Sequence, residues 1–272
     1  MEKYKKPVIY ILLIAGSFIM LFPFAWMISA SLKTNLEVFQ YPIRWLPENP
    51  RWENYINIWK RIDFLTYYKN TLVLTVLVTI FSLITSSLAA YAFSKINFPE
   101  RNSLFLLYVA TIAVPFQVIM IPQFIMMRNL GLNDTLWALV LIQSFSPFGV
   151  FLLRQFYMSI PNELCEAARI DGLSDFGIYR KIVLPLSKPA LATLAIFQFV
   201  FVWNDYLGPL IYLSSDKNKT IQLGIKKFVT QYSTEYSLIM AASVVALVPV
   251  VILFIFTQKY YVEGIAMSGL KG

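Results

Sequence analysis

Six stretches of this 272-residue chain are apolar for long enough to cross a hydrocarbon layer of roughly 30 Å as helices that rise about 1.5 Å per residue. They lie near residues 8–31, 71–93, 104–126, 135–157, 189–213 and 238–257. Backbone in lipid must satisfy its own hydrogen bonds, so runs of this length leave helices as the available structure. The expectation is an all-α membrane protein with six transmembrane helices, the whole of residues 1–272 forming one transmembrane domain. Composition agrees: 58% of residues are hydrophobic and 14% are charged, against about a quarter charged in soluble domains. With 22 Phe and 16 Tyr, the chain has more apolar surface than one soluble core can hide.

The first span follows Lys3, Lys5 and Lys6, like the start of a signal peptide, but its largely apolar run of about 24 residues exceeds the usual h-region of about 7 to 15. It reads as a retained anchor. An even number of spans puts both termini on one side. With the termini inside, 12 Lys/Arg fall on inner segments and 11 on outer ones, so the positive-inside rule barely chooses, although the three amino-terminal lysines lean toward an inner start. The net charge of +8 is scattered between apolar blocks rather than gathered in a stripe, which points to membrane lipid and away from nucleic acid. The chain has no histidine, which removes most metal sites and any Ser-His pair, and no metal site is expected. The lone Cys165 allows no internal disulfide and reads as packing. Pro23, Pro115, Pro122, Pro147 and Pro249 fall inside spans, with Pro209 near the end of the fifth; each frees a carbonyl that neighbours or a wet cavity must satisfy.

Between spans four and five, residues 159–190 read SIPNELCEAARIDGLSDFGIYRKIVLPLSKPA. Pro161 suits a helix start, and Glu163 suits the positive end of the helix dipole. Leu164, Ala167, Ala168 and Asp171 recur at helical spacing, the alanines leave room for close approach, and Gly172 can take the left-handed conformation that ends a helix. A second helix over about 174–182, stopped by Pro185, completes a helix-turn-helix at the membrane surface. Glu166-Ala167-Ala168, then Gly172 after three residues, then Ile182-x-Leu184-Pro185 after nine more, resembles the EAA loop of the membrane subunits of binding-protein-dependent ABC importers. The segments 121–139, 161–172, 201–213 and 258–272 resemble the carbohydrate-uptake branch, specifically its maltose-type second permease. The likeness spans most of the chain and is weakest over residues 32–70.

That resemblance implies the type I ABC importer permease fold, with a cytoplasmic EAA coupling loop over residues 159–188. It implies that Glu166, Ala167, Ala168, Asp171, Gly172, Ile182, Leu184 and Pro185 couple to a cytoplasmic ATPase: Glu166 pairing with a basic group, Ala167 and Ala168 allowing close approach, Gly172 making the turn. It implies tail contacts to the ATPase from Glu263, Gly264, Lys271 and Gly272, and an inner membrane location in a prokaryote with both termini cytoplasmic. The implied partners are a second permease, two ATPase subunits and an extracellular or periplasmic solute-binding protein. The loop at 214–237 resembles the family segment that enters the binding protein's cleft, while the aromatic stretch from Lys33 to Lys69 either docks that protein or caps the helices.

An ATPase needs a glycine-rich phosphate loop ending in Lys and Ser/Thr. Gly172/Gly177 and Gly264/Gly269 have the interval but run into Ile178-Tyr179 and Leu270-Lys271. The chain is therefore expected to be a transporter subunit rather than an enzyme and to hold no cofactor, ATP and Mg being bound by the partner ATPase. A membrane-embedded hydrolase, the main alternative class, lacks a His and a second membrane acid. An ATP-independent carrier would have no use for an EAA-like dock.

Within the membrane, Gln117, Gln143, Gln198, Asn204 and Asp205 are candidates for a translocation path. Gln198 and Asp205, seven apart, share a helix face, and amide, carboxylate and aromatic groups suit a polyhydroxylated neutral solute. Helix packing is as good a reading for the three glutamines, and Asp205 can instead sit at the outer interface. No Lys or Arg lies deep in a span except Arg154 near the inner end of the fourth, which argues against an anionic solute such as glycerol phosphate.

Overall fold

The computed structural model of the chain describes residues 2–229 and 234–269. Its helices are α1 (Glu2–Ser31), α2 (Asn35–Val38), α3 (Glu53–Arg61), α4 (Phe64–Lys95), α5 (Arg101–Ala110), α6 (Phe116–Asn129), α7 (Leu136–Gln143), α8 (Pro147–Ser159), α9 (Asn162–Ile170), α10 (Asp175–Ile178), α11 (Leu184–Leu186), α12 (Lys188–Trp203), α13 (Leu207–Tyr212), α14 (Ile221–Lys226) and α15 (Tyr236–Gly269). A five-residue π-helical stretch, Tyr179–Val183, joins α10 to α11. The β pairing among the described residues is one bridge between Val229 and Thr234. Two compact units divide the chain, one drawn from Met1–Leu65 and Ile221–Pro249, the other from Thr66–Thr220 and Val250–Gly272.

Among the described residues, Ile9–Ser31, Phe64–Lys95, Leu136–Ser159 and Tyr236–Gln258 are each long and apolar enough to cross a membrane. Two bent pairs also qualify: Arg101–Ala113 with Phe116–Asn129, at 101°, and Asp175–Leu186 with Lys188–Trp203, at 77°. The first bend falls inside the third expected span, the second at Ser187 just before the fifth, and the fifth is itself broken further on. In the third, Val114 is extended (φ −78°, ψ 114°) and Pro115 serves as the N-cap of α6, because a residue before proline is pushed out of the helical region. In the fifth, α12 ends at Trp203 and the chain restarts as α13 after 204–206. Gly208 and Pro209 therefore lie inside a helix rather than ending one. Pro209 is tolerated there because first-turn N–H groups have no intrahelical partner to lose.

In the unit built on α1 to α3, the end of α1 is locked by polar contacts with residues 33–54. The Asn54 amide donates to Ser31 O at 2.8 Å and to Lys33 O at 2.9 Å. Lys33, 1% exposed, donates to Arg44 O at 2.5 Å and lies 4.4 Å from the Trp26 ring, and burial pushes its ammonium pKa down. Thr34 and Glu37 form a capping box on α2. The backbone and Thr34 hydrogen bonds hold the Glu37 carboxyl below its ordinary range. Over residues 9–24 of α1 the large apolar side chains are exposed, as at Phe18, Ile19 and Met20, the pattern of a helix whose solvent is lipid.

The second unit is organised by α4. Thr71, Thr75, Thr79, Ser82 and Ser86 follow at intervals of three or four residues and so share one helix face. Small polar side chains in this arrangement let neighbouring helices come close. Opposite them stands Gly149 on α8, where an added Cβ would lie 2.6 Å from Ser86 Oγ and 3.0 Å from Leu194 Cδ2. Gly149→Val is therefore expected to force α4, α8 and α12 apart and lower stability by about 1–3 kcal/mol. Thermal unfolding of the detergent-purified protein checks this, and an unchanged midpoint would disprove the close contact. Proline at 147 removes the donor for Gln143 O; the Gln198 side chain supplies one at 3.3 Å, while Thr85 Oγ1 donates to Ser144 O at 2.6 Å.

Candidate functional site

The loop after α8 folds as two short helices joined by a tight turn. Pro161 caps α9, and the chain entering it is tied down by Lys95 Nζ, which donates to Ile160 O at 2.6 Å and Asn162 Oδ1 at 2.7 Å. At the other end Leu173 N donates to Ala168 O at 3.0 Å and Gly172 N to Arg169 O at 3.1 Å, with Gly172 at φ +85°. This is a Schellman ending: the left-handed glycine reverses the chain while the last carbonyls keep donors. The Ser174 hydroxyl accepts from Gly177 N at 3.2 Å and so caps α10. Arg169 Nη2 reaches Asp175 Oδ1 at 2.6 Å across the turn.

One side of this knuckle is buried in its own unit. Cys165, Ala168, Ile178, Tyr179 and Val183 join Tyr91 on α4, Val150, Leu153 and Tyr157 on α8, and Leu194 on α12 in a single core. At its centre Ser87 Oγ lies 2.7 Å from Tyr157 Oη and 2.9 Å from Tyr179 Oη, all three residues being buried. Tyr91 Oη donates to Asp175 O at 2.9 Å. The knuckle is thus bolted to α4 and α8 by hydroxyls as well as by packing. Its π-helical stretch carries Tyr179 into that contact, and π-bulges of this kind recur at functional sites. The expected second helix over 174–182 is in fact three helical segments running through Pro185 to Leu186. Proline is accommodated as the second residue of α11, where its missing N–H breaks no bond within that helix.

The outward side holds Glu166, Ala167, Asp171, Gly172 and Pro185, all exposed, with Ile182 and Leu184 half-buried. Ala168 differs from expectation. It is 5% exposed and faces the core, because it falls on the side of α9 that carries Cys165. Two side chains that motif spacing missed stand out instead. Ile170 is 87% exposed and Phe176 is 63% exposed, on either side of the Gly172 turn. Their signal in the sequence is a bulky apolar residue next to a glycine turn, among polar neighbours. In the tail, α15 runs through Glu263 and Gly264 as backbone; their side chains, and Lys271 and Gly272 entirely, lie outside the described residues.

Of the five interior polar residues, three converge where α7 and α12 end. Gln143 Nε2 donates to Asp205 Oδ2 at 2.7 Å, Gly208 N donates to Asp205 Oδ1 at 3.1 Å, and Gln198 bridges to Gln143 O. Gly208 is required by this approach, since a Cβ would press on Asp205, on Leu139 at 3.1 Å and on Gln143 Nε2 at 3.2 Å. Gln143 Oε1 is buried with no hydrogen-bond partner among the described residues. Gln117 and Asn204 are exposed and stand apart from this knot, Asn204 donating back to Val200 O at 2.9 Å. Residues 214–219 are pinned as well. Asp134 Oδ1 accepts from Ser214 N at 2.8 Å and Ser215 N at 3.0 Å, and Asn70 donates to Lys217 O and Lys219 O at 2.8 and 2.9 Å. Bonds from Ser215 hold the Asp134 carboxyl well below the usual carboxylate range. Residues 230–233 of the same loop lie outside the described residues.

Residues 82–266 match the family profile described as binding-protein-dependent transport system inner membrane component. The chain is 36% identical over 279 residues, covering 100% of both chains, to the arabinooligosaccharides transport system permease protein AraQ of Halalkalibacterium halodurans. It is 33% identical over 260 residues to AraQ of Bacillus subtilis, covering 94% of this chain and 92% of the other. It is 34% identical over 268 residues, 95% of both chains, to the sn-glycerol-3-phosphate transport system permease protein UgpE of Yersinia pestis. Among solved structures, a bacterial ABC transporter involved in the import of the acidic polysaccharide alginate superimposes with a TM-score of 0.83 at 28% identity, covering 96% of this chain and 97% of that one.

Proposed function

Because the chain belongs to the binding-protein-dependent transport system inner membrane components, we propose that it is the permease half of an ATP-driven carbohydrate importer, moved by a separate ATPase docked on the 159–188 loop. It is a multi-pass membrane subunit of a transport system and not an enzyme. The carrying observation is the knuckle: an exposed turn bearing Glu166, Ala167, Ile170, Gly172 and Phe176 whose opposite side is welded to α4, α8 and α12. An external protein pushing on that turn moves three helices together. On this reading the turn and both termini are cytoplasmic, the chain crosses six times with α5–α6 as one bent span and α12–α13 as the span that follows the knuckle, and the whole of 1–272 acts as one transmembrane domain. ATP and Mg stay on the ATPase.

A second permease completes the pore, and a binding protein delivers solute, with the 33–69 and 214–237 segments as its candidate contacts. The tail residues Glu263, Gly264, Lys271 and Gly272 are further contacts for the ATPase. Gln117 and Asn204 are the side chains free to line the path, while Gln143, Gln198 and Asp205 hold its wall. The likeness to the AraQ arabinooligosaccharide permeases favours an oligosaccharide over glycerol phosphate, and Asp205 forms no ion pair with a cation among the described residues.

Purification from its native membrane is expected to bring down an ATPase with the wild-type chain. Glu166→Lys, which reverses an exposed charge without touching the core, is expected to cut that recovery at least about tenfold, the loss of a charge-assisted contact replaced by repulsion. Equal recovery in both would refute the dock.

A further inference from the structure

Near the end of α8, Arg154 is a buried cation with no anionic partner among the described residues. It is 9% exposed; Nε donates to Phe93 O at 3.0 Å and Nη2 to Asn102 Oδ1 at 3.0 Å, with the guanidinium 4.0 Å from the Phe105 ring centre. Asn102, the acceptor of Nη2, directly follows Arg101 on α5, which sets the two arginines at the same end of that helix. Arg101 Nη1 donates to Ile96 O at 3.2 Å and Asn97 Oδ1 at 3.0 Å. Every acceptor named is neutral, and neither arginine joins an ion pair among the described residues. Glu100, adjacent in sequence, is exposed and pairs with neither. Arg101 also opens α5, at the positive end of the helix dipole, where a cation is disfavoured. Two guanidiniums in this setting call for an anion from outside the chain.

The surroundings identify its class. Directly after Arg101, α5 turns Leu104, Leu106 and Leu107 outward, the last 69% exposed, so the charged pair marks the level at which a lipid-facing helix begins. That is the height of phospholipid headgroups. We propose that Arg101 and Arg154 form a site for the phosphodiester of an anionic membrane lipid, whose acyl chains lie along Leu104 and Leu107. The planar fork of arginine matches phosphate oxygens better than an ammonium does, and no described residue accepts from Arg154 Nη1. The inference needs only that the chain sits in a membrane, so it stands or falls apart from the ATPase dock.

The test is native mass spectrometry of the chain, purified with the subunits that accompany it and exposed to phosphatidylglycerol or phosphatidylcholine. The wild type is expected to retain phosphatidylglycerol over phosphatidylcholine. Arg101→Gln and Arg154→Gln are each expected to retain about fivefold less, the factor set by one basic residue at an anionic surface, and Arg101→Lys is expected to recover part of the loss. Arg101→Gln serves as the independent variant should loss of the Arg154 bond to Phe93 O impair folding. Equal phosphatidylglycerol retention by wild type and Arg101→Gln overturns the site. Displacement of the lipid by millimolar inorganic phosphate overturns the lipid as ligand and assigns the pair to free phosphate.

Discussion

Gly172→Val is expected to leave the chain inserted in the membrane while solute uptake falls at least about tenfold. The residue sits at φ +85° with nothing within 4 Å of the position a Cβ would take, so the penalty is purely one of backbone conformation. Left-handed geometry costs an ordinary side chain about 1–2 kcal/mol and a β-branched one more. Ala168 O and Arg169 O lose their donors if the turn opens, and α9 and α10 then no longer present Ile170 and Phe176 from one rigid tip. Gly172→Asn is the decisive control, because asparagine tolerates the same conformation. Uptake by reconstituted vesicles near the wild-type rate for Asn and lost for Val supports the turn as the element that matters. Equal loss in both variants points to steric exclusion by whatever docks there, and normal uptake by Val removes the turn from the mechanism.

The second large effect is expected at Ser87. Its hydroxyl serves both Tyr157 and Tyr179 within hydrogen-bonding distance, so Ser87→Ala removes the shared partner of two buried phenols, Tyr157 keeping Ser187 beside it, at a cost of about 1–3 kcal/mol. Tyr179→Phe removes one phenol and leaves Ser87 with Tyr157, for a cost of about 1 kcal/mol. In the double variant the second change is expected to cost much less than it does alone, since the shared contact is already gone. Thermal unfolding supplies the stability arm of this cycle. The functional arm is the amount of solute moved per ATP hydrolysed by the assembled transporter: it should fall for Tyr179→Phe, because the π-helical stretch would still bear on the ATPase yet be unbolted from α4. Strict additivity, or an unchanged ratio, would show that the hydroxyl cluster is packing alone.

Much of this was legible before any fold was known. Apolar runs longer than a bilayer is thick can only be helices, which located α1, α4, α8 and α15. The Glu166-Ala167-Ala168 and Gly172 spacing located a helix ending in a left-handed turn, because only a residue without Cβ takes that geometry freely. Local rules also anticipated that Pro147 would leave a carbonyl in need of a donor.

What spacing left open was the identity of the groups that come together from distant positions. The donor for Gln143 O is Gln198, 55 residues on. Ser87 meets Tyr157 and Tyr179 across 70 and 92 residues, and nothing in the neighbourhood of any of them marks it as a partner of the others. The side of α9 that turns inward was undecided for the same reason: Ala167 and Ala168 are alike in sequence, and the core against α4 and α8 chose between them. The bend of 101° at Val114 and Pro115 likewise has its cause in the chain and its angle in the packing. The sequence alone determined which segments are helical and where the chain must turn, since these depend on backbone conformation and solvation over a few residues. The tertiary structure alone decided which polar groups satisfy one another and which face is left for a partner, because a buried hydrogen bond depends on where two helices meet.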